Sequence, residues 1–153
     1  MTRILILGLC LTASSAQAQK QAIEMKSGIS YRSAKNGDTP DHWKLDLAVP
    51  GKGEGPYPLI VCVHGGGWRS GHRRQAASIM RQFAEQGFVA TTVSYRLSNV
   101  AKFPAQIHDC KAALRFLRAN AKKYKIDPKR VGAVGFSAGG HLATTLCTNF
   151  EKD

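Results

Sequence analysis

The chain has 153 residues, 43% of them hydrophobic, and a net charge of +12, the size and composition of one small globular domain. Its basic residues are dispersed, are not interleaved with aromatics and accompany no nucleic-acid-binding motif, so nucleic acid is not an expected partner. The charge reads as a solvated surface, with attraction to an acidic polymer such as a uronic-acid-bearing polysaccharide as the sharper alternative.

Met1 to Ala18 carries the three parts of a secretory signal peptide: Arg3 at the start, an apolar stretch from Ile4 to Ala13, and Ala16-Gln17-Ala18 as the cleavage signal. The apolar stretch is too short to span a bilayer as a helix. Cys10 follows Leu9 rather than a small residue, so no lipoprotein anchor is expected. Cleavage after Ala18 predicts a secreted or periplasmic protein beginning at Gln19. Cys62, Cys110 and Cys147 then remain, an odd number that argues against a disulfide framework; Cys62 and Cys110 read as small core residues. No C-x-x-C and no clustered His/Cys pair indicates a metal, and no cofactor is implied.

Lys26 to Ala34 reads as an irregular first strand, and Asn36 to Pro40 as a turn. His42 to Val49 alternates as a strand does and ends at Pro50-Gly51. A Gly/Pro loop from Gly51 to Pro58 leads into Leu59 to Val63, a continuous apolar run of the kind covered on both faces of a sheet. Ala76, Ile79, Met80 and Phe83 recur at helical spacing, which predicts a helix over Arg73 to Gln86 with Gly87 beyond its end. Phe88 to Tyr95 is rich in β-branched residues and predicts a strand. Phe103-Pro104 opens a long helix with Ile107, Cys110, Leu114, Leu117 and Ala121 along one face. Asp127-Pro128 turns into the strand Arg130 to Val134, and a helix follows from Ala138 to Cys147. Strands alternating with helices from Leu59 onward imply a mostly parallel sheet with helices on both faces, an α/β fold. Ligands of such sheets bind at the carboxyl ends of the strands.

Two motifs stand at such ends. Gly135-Phe136-Ser137-Ala138-Gly139 lies between a strand and a helix, the context in which G-x-S-x-G is a nucleophile elbow. Glycines two before and two after the serine leave room for a sharp turn that lifts its hydroxyl clear of the sheet. The helix behind aims free N–H groups and a positive dipole end at the same point. The second motif, His64-Gly65-Gly66-Gly67-Trp68, directly follows the Leu59 to Val63 run. A loop of this type supplies oxyanion-hole donors in lipases and esterases.

From about Trp43 to Asn149 the chain resembles the α/β-hydrolases, in the group of hormone-sensitive-lipase-like and feruloyl/acetyl-xylan-type carboxylesterases. The likeness rests on Leu45-Asp46-Leu47 with Pro50, the His64 to Trp68 loop, Ser94-Tyr95-Arg96-Leu97, Phe103-Pro104 with Asp109, Ile126-Asp127-Pro128, and Gly135 through Ala143. The resemblance implies Ser137 as the nucleophile and the N–H groups of Gly66, Gly67 and Ala138 as the oxyanion hole. It implies that His64 holds the glycine loop in shape, and that Trp68 and Tyr95 pack around the site. It also implies a serine esterase acting on small or polysaccharide esters, possessing neither metal nor membrane anchor.

One departure is large. The family carries an acid and then a histidine downstream of the serine, and here the sequence runs only to Asp153. His141, one helical turn beyond Ser137, is expected to pack within the helix layer. His108 and Asp109 are expected in surface or capping contacts, and His42 and His72 show no partner pattern. The expectation is therefore residues 19–153 as the N-terminal part of an α/β-hydrolase domain, truncated after the elbow helix, with the acid and histidine lying beyond it, inactive and poorly soluble on its own. A serine peptidase on the same fold, or a non-catalytic binding remnant, are the alternatives.

Overall fold

Leu59 to Val63 does lie inside a sheet. In the computed structural model, which describes residues 21–33 and 40–148, five strands run in the order β1-β2-β4-β3-β5. They are β1 (Ile23–Ser30), β2 (Lys44–Pro50), β3 (Tyr57–Val63), β4 (Val89–Val93) and β5 (Ile126–Gly135), with helices α1 (Ala77–Glu85), α2 (Ala105–Ala119) and α3 (Ala138–Thr148). β2 is antiparallel to β1 and β4, while β3 is parallel to both β4 and β5. The proposed signal peptide, most of the turn before Pro40 and the last five residues lie outside the described residues.

The period-2 pattern divides the core in two. Leu45, Leu47, Leu59, Val61 and Val63 face Ile107, Cys110, Leu114 and Leu117 of α2 and Leu142 and Leu146 of α3. Ala48, Cys62 and Ala90 face Met80 and Ala84 of α1 on the other side. Cys62 and Cys110 are core residues as expected, and burial pushes both thiols up to about 12. α1 ends as its sequence predicts: Gly87 has φ 92°, Gly87 N–H donates to Ala84 O, and Phe88 N–H donates to Phe83 O.

Several boundaries differ from expectation. The first strand ends at Ser30, because Tyr31 is tied down there, its hydroxyl 2.9 Å from His42 O and 2.8 Å from Ser94 O. The helix expected from Arg73 begins as a 3-10 turn, Arg73–Ala76, capped by His72, whose Nδ1 accepts from Arg74 N–H while Gln75 accepts from His72 N–H. Asp127-Pro128 sits in a bulge of β5 instead of a turn before it, since Ile126 pairs with Tyr57 and Val131 with Leu59.

The basic residues are not all solvated. Arg73 is buried; its Nε donates to Asp46 at 3.0 Å and its Nη1 donates to both oxygens of Asp41 at 2.8 Å. His72, which showed no partner in sequence, places Nε2 2.6 Å from Asp41. Asp46 is itself buried on β2 and also accepts from Gly28 N–H. Arg73→Ala is expected to lower the free energy of unfolding by about 3–5 kcal/mol, because Asp46 stays buried without its cation. Asp41→Asn, at an end where the carboxylate is half exposed, should cost about 1 kcal/mol or less. Urea denaturation separates the two; equal losses would mean that Asp41 carries the anchor.

Candidate functional site

The strand-to-helix turn after β5 puts Ser137 at φ 53°, a conformation costing about 1–3 kcal/mol for a residue with a side chain. Backbone packing holds it there. A Cβ on Gly139 would stand 2.2 Å from Val63 O and 2.5 Å from His64 O, and one on Gly135 would stand 2.3 Å from the carbonyl of Gly139. Gly139 N–H donates to Phe136 O at 2.9 Å and His141 N–H to Ser137 O at 3.1 Å, closing the first turn. The side chain of Ser137 is exposed.

The loop leaving β3 meets this turn from the side. A Cβ on Gly65 would lie 2.7 Å from Phe136 O and 3.5 Å from Ser137 Cβ. Gly66 adopts φ 116°, and its carbonyl accepts from Arg69 and Ser70 N–H at 3.1 and 3.0 Å. Trp68 is held at φ 59°, its carbonyl accepting from Ser98 N–H at 2.8 Å. Among the described residues the amides of Gly66 and Gly67 find no acceptor, and Ala138, first in α3, has no partner within its helix.

His64 is buried, its ring stacked on Tyr95 with centroids 4.3 Å apart and planes 8° apart. Nδ1 lies 2.8 Å from Gly65 O, so it carries the proton and donates. The Tyr95 hydroxyl donates to His64 O at 3.0 Å. Tyr95 is therefore a buried support beneath the loop.

A cleft of about 490 Å3 opens beside the loop, lined by Gly67, Trp68, Arg69, Ser98, Phe103, Gln106 and His141. His141 is not within the helix layer. The buried stripe of α3 is Ala138, Gly139, Leu142, Ala143 and Leu146, and His141 falls off that stripe, exposed, its ring edge-on to Trp68 at 5.5 Å. The large exposed apolar side chains Trp68, Val100, Phe103 and Phe136 follow the ends of β3, β4 and β5, along one edge of the sheet. Sequence reading missed Ser98, Phe103 and Gln106; their position between β4 and the first turn of the helix after it was the available signal.

Asp109 was expected near the surface and is wholly buried. It accepts from Arg96 N–H, Nε and Nη2 and from Arg32 Nη1. His108 is exposed. Among the described residues no group of three His, Cys, Asp or Glu side chains could hold a metal ion, and no helix is long and apolar enough to cross a membrane.

The strand order, the helices on both faces and the serine at a strand-to-helix turn beside a glycine loop define an α/β-hydrolase fold. Residues 45–153 match BD-FAE, and the chain belongs to that family. A probable carboxylic ester hydrolase of Mycobacterium tuberculosis, LipM, is 34% identical over 120 residues, covering 76% of this chain and 26% of its own. A bifunctional GH43-CE protein of Bacteroides eggerthii superposes with a TM-score of 0.74 at 38% identity, covering 82% of this chain and 16% of that one. A truncated carbohydrate esterase from gut microbiota does so with a TM-score of 0.72 at 34% identity, covering 81% and 42%. The chain thus spans 26% and 30% of the length of the first two curated relatives.

Burial holds His64 below the ordinary histidine range against the opposing bond to Gly65 O, and burial acts the same way on His42. A histidine that resists protonation when folded contributes stability that is complete above its unfolded pKa of about 6.5 and declines as the pH falls below it. Stability should therefore drop between about pH 7.5 and pH 5.5, above the range in which the paired carboxylates of Asp41 and Asp127 titrate. Urea unfolding at the two pH values measures the drop. A His64→Gln variant should show a shallower fall whatever its absolute stability; an unchanged fall would place the titration elsewhere.

Proposed function

We propose that this chain carries the nucleophile and the oxyanion hole of a secreted serine carboxylesterase. The observation that carries the reading is Ser137, strained and exposed at the turn after β5, beside a loop whose Gly66 and Gly67 amides have no acceptor among the described residues. A base takes the Ser137 hydroxyl proton as Oγ attacks the ester carbonyl carbon. The N–H groups of Gly66, Gly67 and Ala138 receive the resulting oxyanion. The alcohol leaves with the proton, and water then releases the acid from the acyl-enzyme. His64, neutral and stacked on Tyr95, keeps the loop in shape, while Trp68 borders the cleft that receives the substrate.

No hydrogen bond joins Ser137 Oγ to a histidine among the described residues, so in this reading the base and its acid partner come from outside them. A serine hydroxyl without a base is a weak nucleophile. Residues 19–153 alone are expected to be slow, retaining at most the roughly 10³- to 10⁴-fold over water that an oxyanion hole and binding supply. The names of the carbohydrate esterases among the structural relatives support carbohydrate esters as substrates; the family resemblance suggests acetyl or feruloyl esters of a polysaccharide, with small aliphatic esters as the simpler case. The signal-peptide pattern of Met1 to Ala18 supports secretion or a periplasmic location.

The test uses the protein together with whatever follows residue 153. Ser137→Ala should abolish hydrolysis of a p-nitrophenyl ester and covalent labelling by a fluorophosphonate while leaving the circular dichroism unchanged. Persistent labelling at another serine would overturn the assignment.

The two loop glycines should differ. A Cβ on Gly66 would meet Ser70 O at 2.1 Å, whereas one on Gly67, at φ 58°, meets nothing within 4 Å. Gly66→Ala should displace a donor and lower kcat by about 10²- to 10³-fold with little change in KM. Gly67→Ala should retain more activity, its cost being the roughly 1–2 kcal/mol of a left-handed backbone. A rise in KM at constant kcat in Gly66→Ala would show that the loop binds ground-state substrate instead.

A further inference from the structure

On the opposite face of α2 from Gln106 lies a groove of about 570 Å3 lined by Arg32, Arg96, His108, Ala112 and Arg115. Nothing in the ester chemistry uses it. We propose that this groove binds the carboxylate of a uronic-acid sugar in a polysaccharide.

Three parts of the chain converge there. Arg32 follows β1, Arg96 follows β4, and His108, Ala112 and Arg115 share one face of α2 at helical spacing. Among the described residues the carboxylate at this groove is Asp109, and it is saturated. Oδ2 accepts from Arg96 N–H at 2.9 Å and Nε at 2.8 Å, and Oδ1 accepts from Arg96 Nη2 at 2.8 Å and Arg32 Nη1 at 3.1 Å. Four donors fill the acceptor sites of one carboxylate. Among the described residues it balances one of the three guanidinium charges and leaves two in excess.

Two of those guanidiniums are held in place before any ligand arrives. Both lie over the Trp43 ring, Arg32 at 4.8 Å and Arg96 at 5.9 Å from its centroid. Arg115 and His108 are exposed, and their side chains make no hydrogen bond or ion pair among the described residues. Fixed planar forks with unspent N–H groups match a carboxylate in two-point contact. At roughly 30 Å3 of liquid volume per water, the groove holds far more than a lone oxyanion, and a sugar ring fits the remainder. The chain's charge of +12 draws a polyanion toward it.

Its place on the sheet explains why a polymer is the fitting ligand. Ser30 pairs with Lys44, and Leu45 with Val93, so Arg32, Trp43 and Arg96 gather at the carboxyl edge of β4. Ser137 follows β5 at the same edge, two strands away, about 10 Å at the spacing of a sheet. α2, about 10 Å across, separates the groove from the cleft beside Trp68. A small ester would not touch both; a chain of sugars laid along the edge would. The connection to Ser137 rests on the esterase reading, whereas binding in the groove does not.

The experiment is binding, measured by calorimetry on the full-length protein carrying Ser137→Ala so that no probe is consumed. The probes are a galacturonic acid oligomer, its fully methyl-esterified form, a neutral xylo-oligosaccharide and inorganic sulfate. The acidic oligomer should bind, the two neutral ones should not, and sulfate should compete only weakly. Arg115→Gln with Arg32→Gln should weaken binding roughly tenfold or more, and Lys122→Gln, outside the groove, should not. Arg96 is left intact because it neutralises buried Asp109.

Equal binding of the methyl ester would remove the carboxylate from the explanation. Sulfate binding as tightly as the oligomer would make the groove a general anion site. An equal loss in Lys122→Gln would reduce the effect to diffuse charge, and absence of binding would end the proposal. Hydrolysis of p-nitrophenyl acetate by protein with Ser137 restored is read separately. Its failure would remove the esterase reading while the carboxylate result stands.

Discussion

The site depends on how closely two backbones approach. The helix after Ser137 begins so near the end of β3 that Gly139 lies against the carbonyls of Val63 and His64, and Gly65 lies against the carbonyl of Phe136. No side chain fits at either point, because real Cβ atoms keep beyond about 3 Å from such oxygens. The elbow and the glycine loop are therefore one packed unit, not two motifs that happen to share an edge. Parallel pairing sets their relative height, with Val134 opposite Cys62 and Gly135 opposite Val63. A shift of register would move the serine and the loop amides apart together with the strands that carry them.

Buried charge secures the loops that leave the other strands. Arg73, just after the glycine loop, is tied to Asp46 of β2 and to Asp41; Arg96, just after β4, is tied to Asp109 of α2. Each arrangement joins a loop at the carboxyl edge to a part of the chain distant in sequence. Such pairs add less net stability than their Coulomb attraction suggests, since both ions are taken out of water. Their directional value is larger: several donors on one carboxylate allow few alternative geometries. In this fold they hold irregular chain where the sheet itself no longer supplies backbone partners.

The sequence made the two motifs and most elements legible because they depend on local signals. Apolar runs, helical spacing and the Gly87 cap each act over a few residues, and the glycines of the elbow declare a backbone requirement that no other residue meets. The misreadings have a common cause. Arg73 and Asp109 look like surface residues because charge is usually solvated, and only tertiary contact with Asp46 and Arg96 overrides that. The stacking of the Tyr95 ring beneath His64 has no local sequence signal. His141 departs by a single helical position from the stripe that α3 buries, a difference that the spacing of a short, glycine-rich helix does not resolve. The cleft was invisible because Trp68, Phe103 and His141 come from three separate segments.

In the proposed esterase reading, the pattern of burial along the sheet separates the chemistry into two parts. β4 is buried throughout, whereas β5 is half-buried over Val131 to Gly135 and, among the described residues, pairs only with β3. The serine is thus positioned by one neighbouring strand, the same strand whose loop carries the Gly66 and Gly67 amides that find no acceptor among the described residues. In the proposed esterase reading, nucleophile and oxyanion donors share one strand pair and the close glycine contacts at Gly65 and Gly139. A general base has no such tie to β3 and β5, and it has only to come within hydrogen-bond reach of an exposed hydroxyl. Preorganised donors act through fixed position, so a rigid backbone contact suits them. Proton transfer tolerates a partner delivered by a separate segment, and the exposed face of Ser137 is where that partner has room to approach.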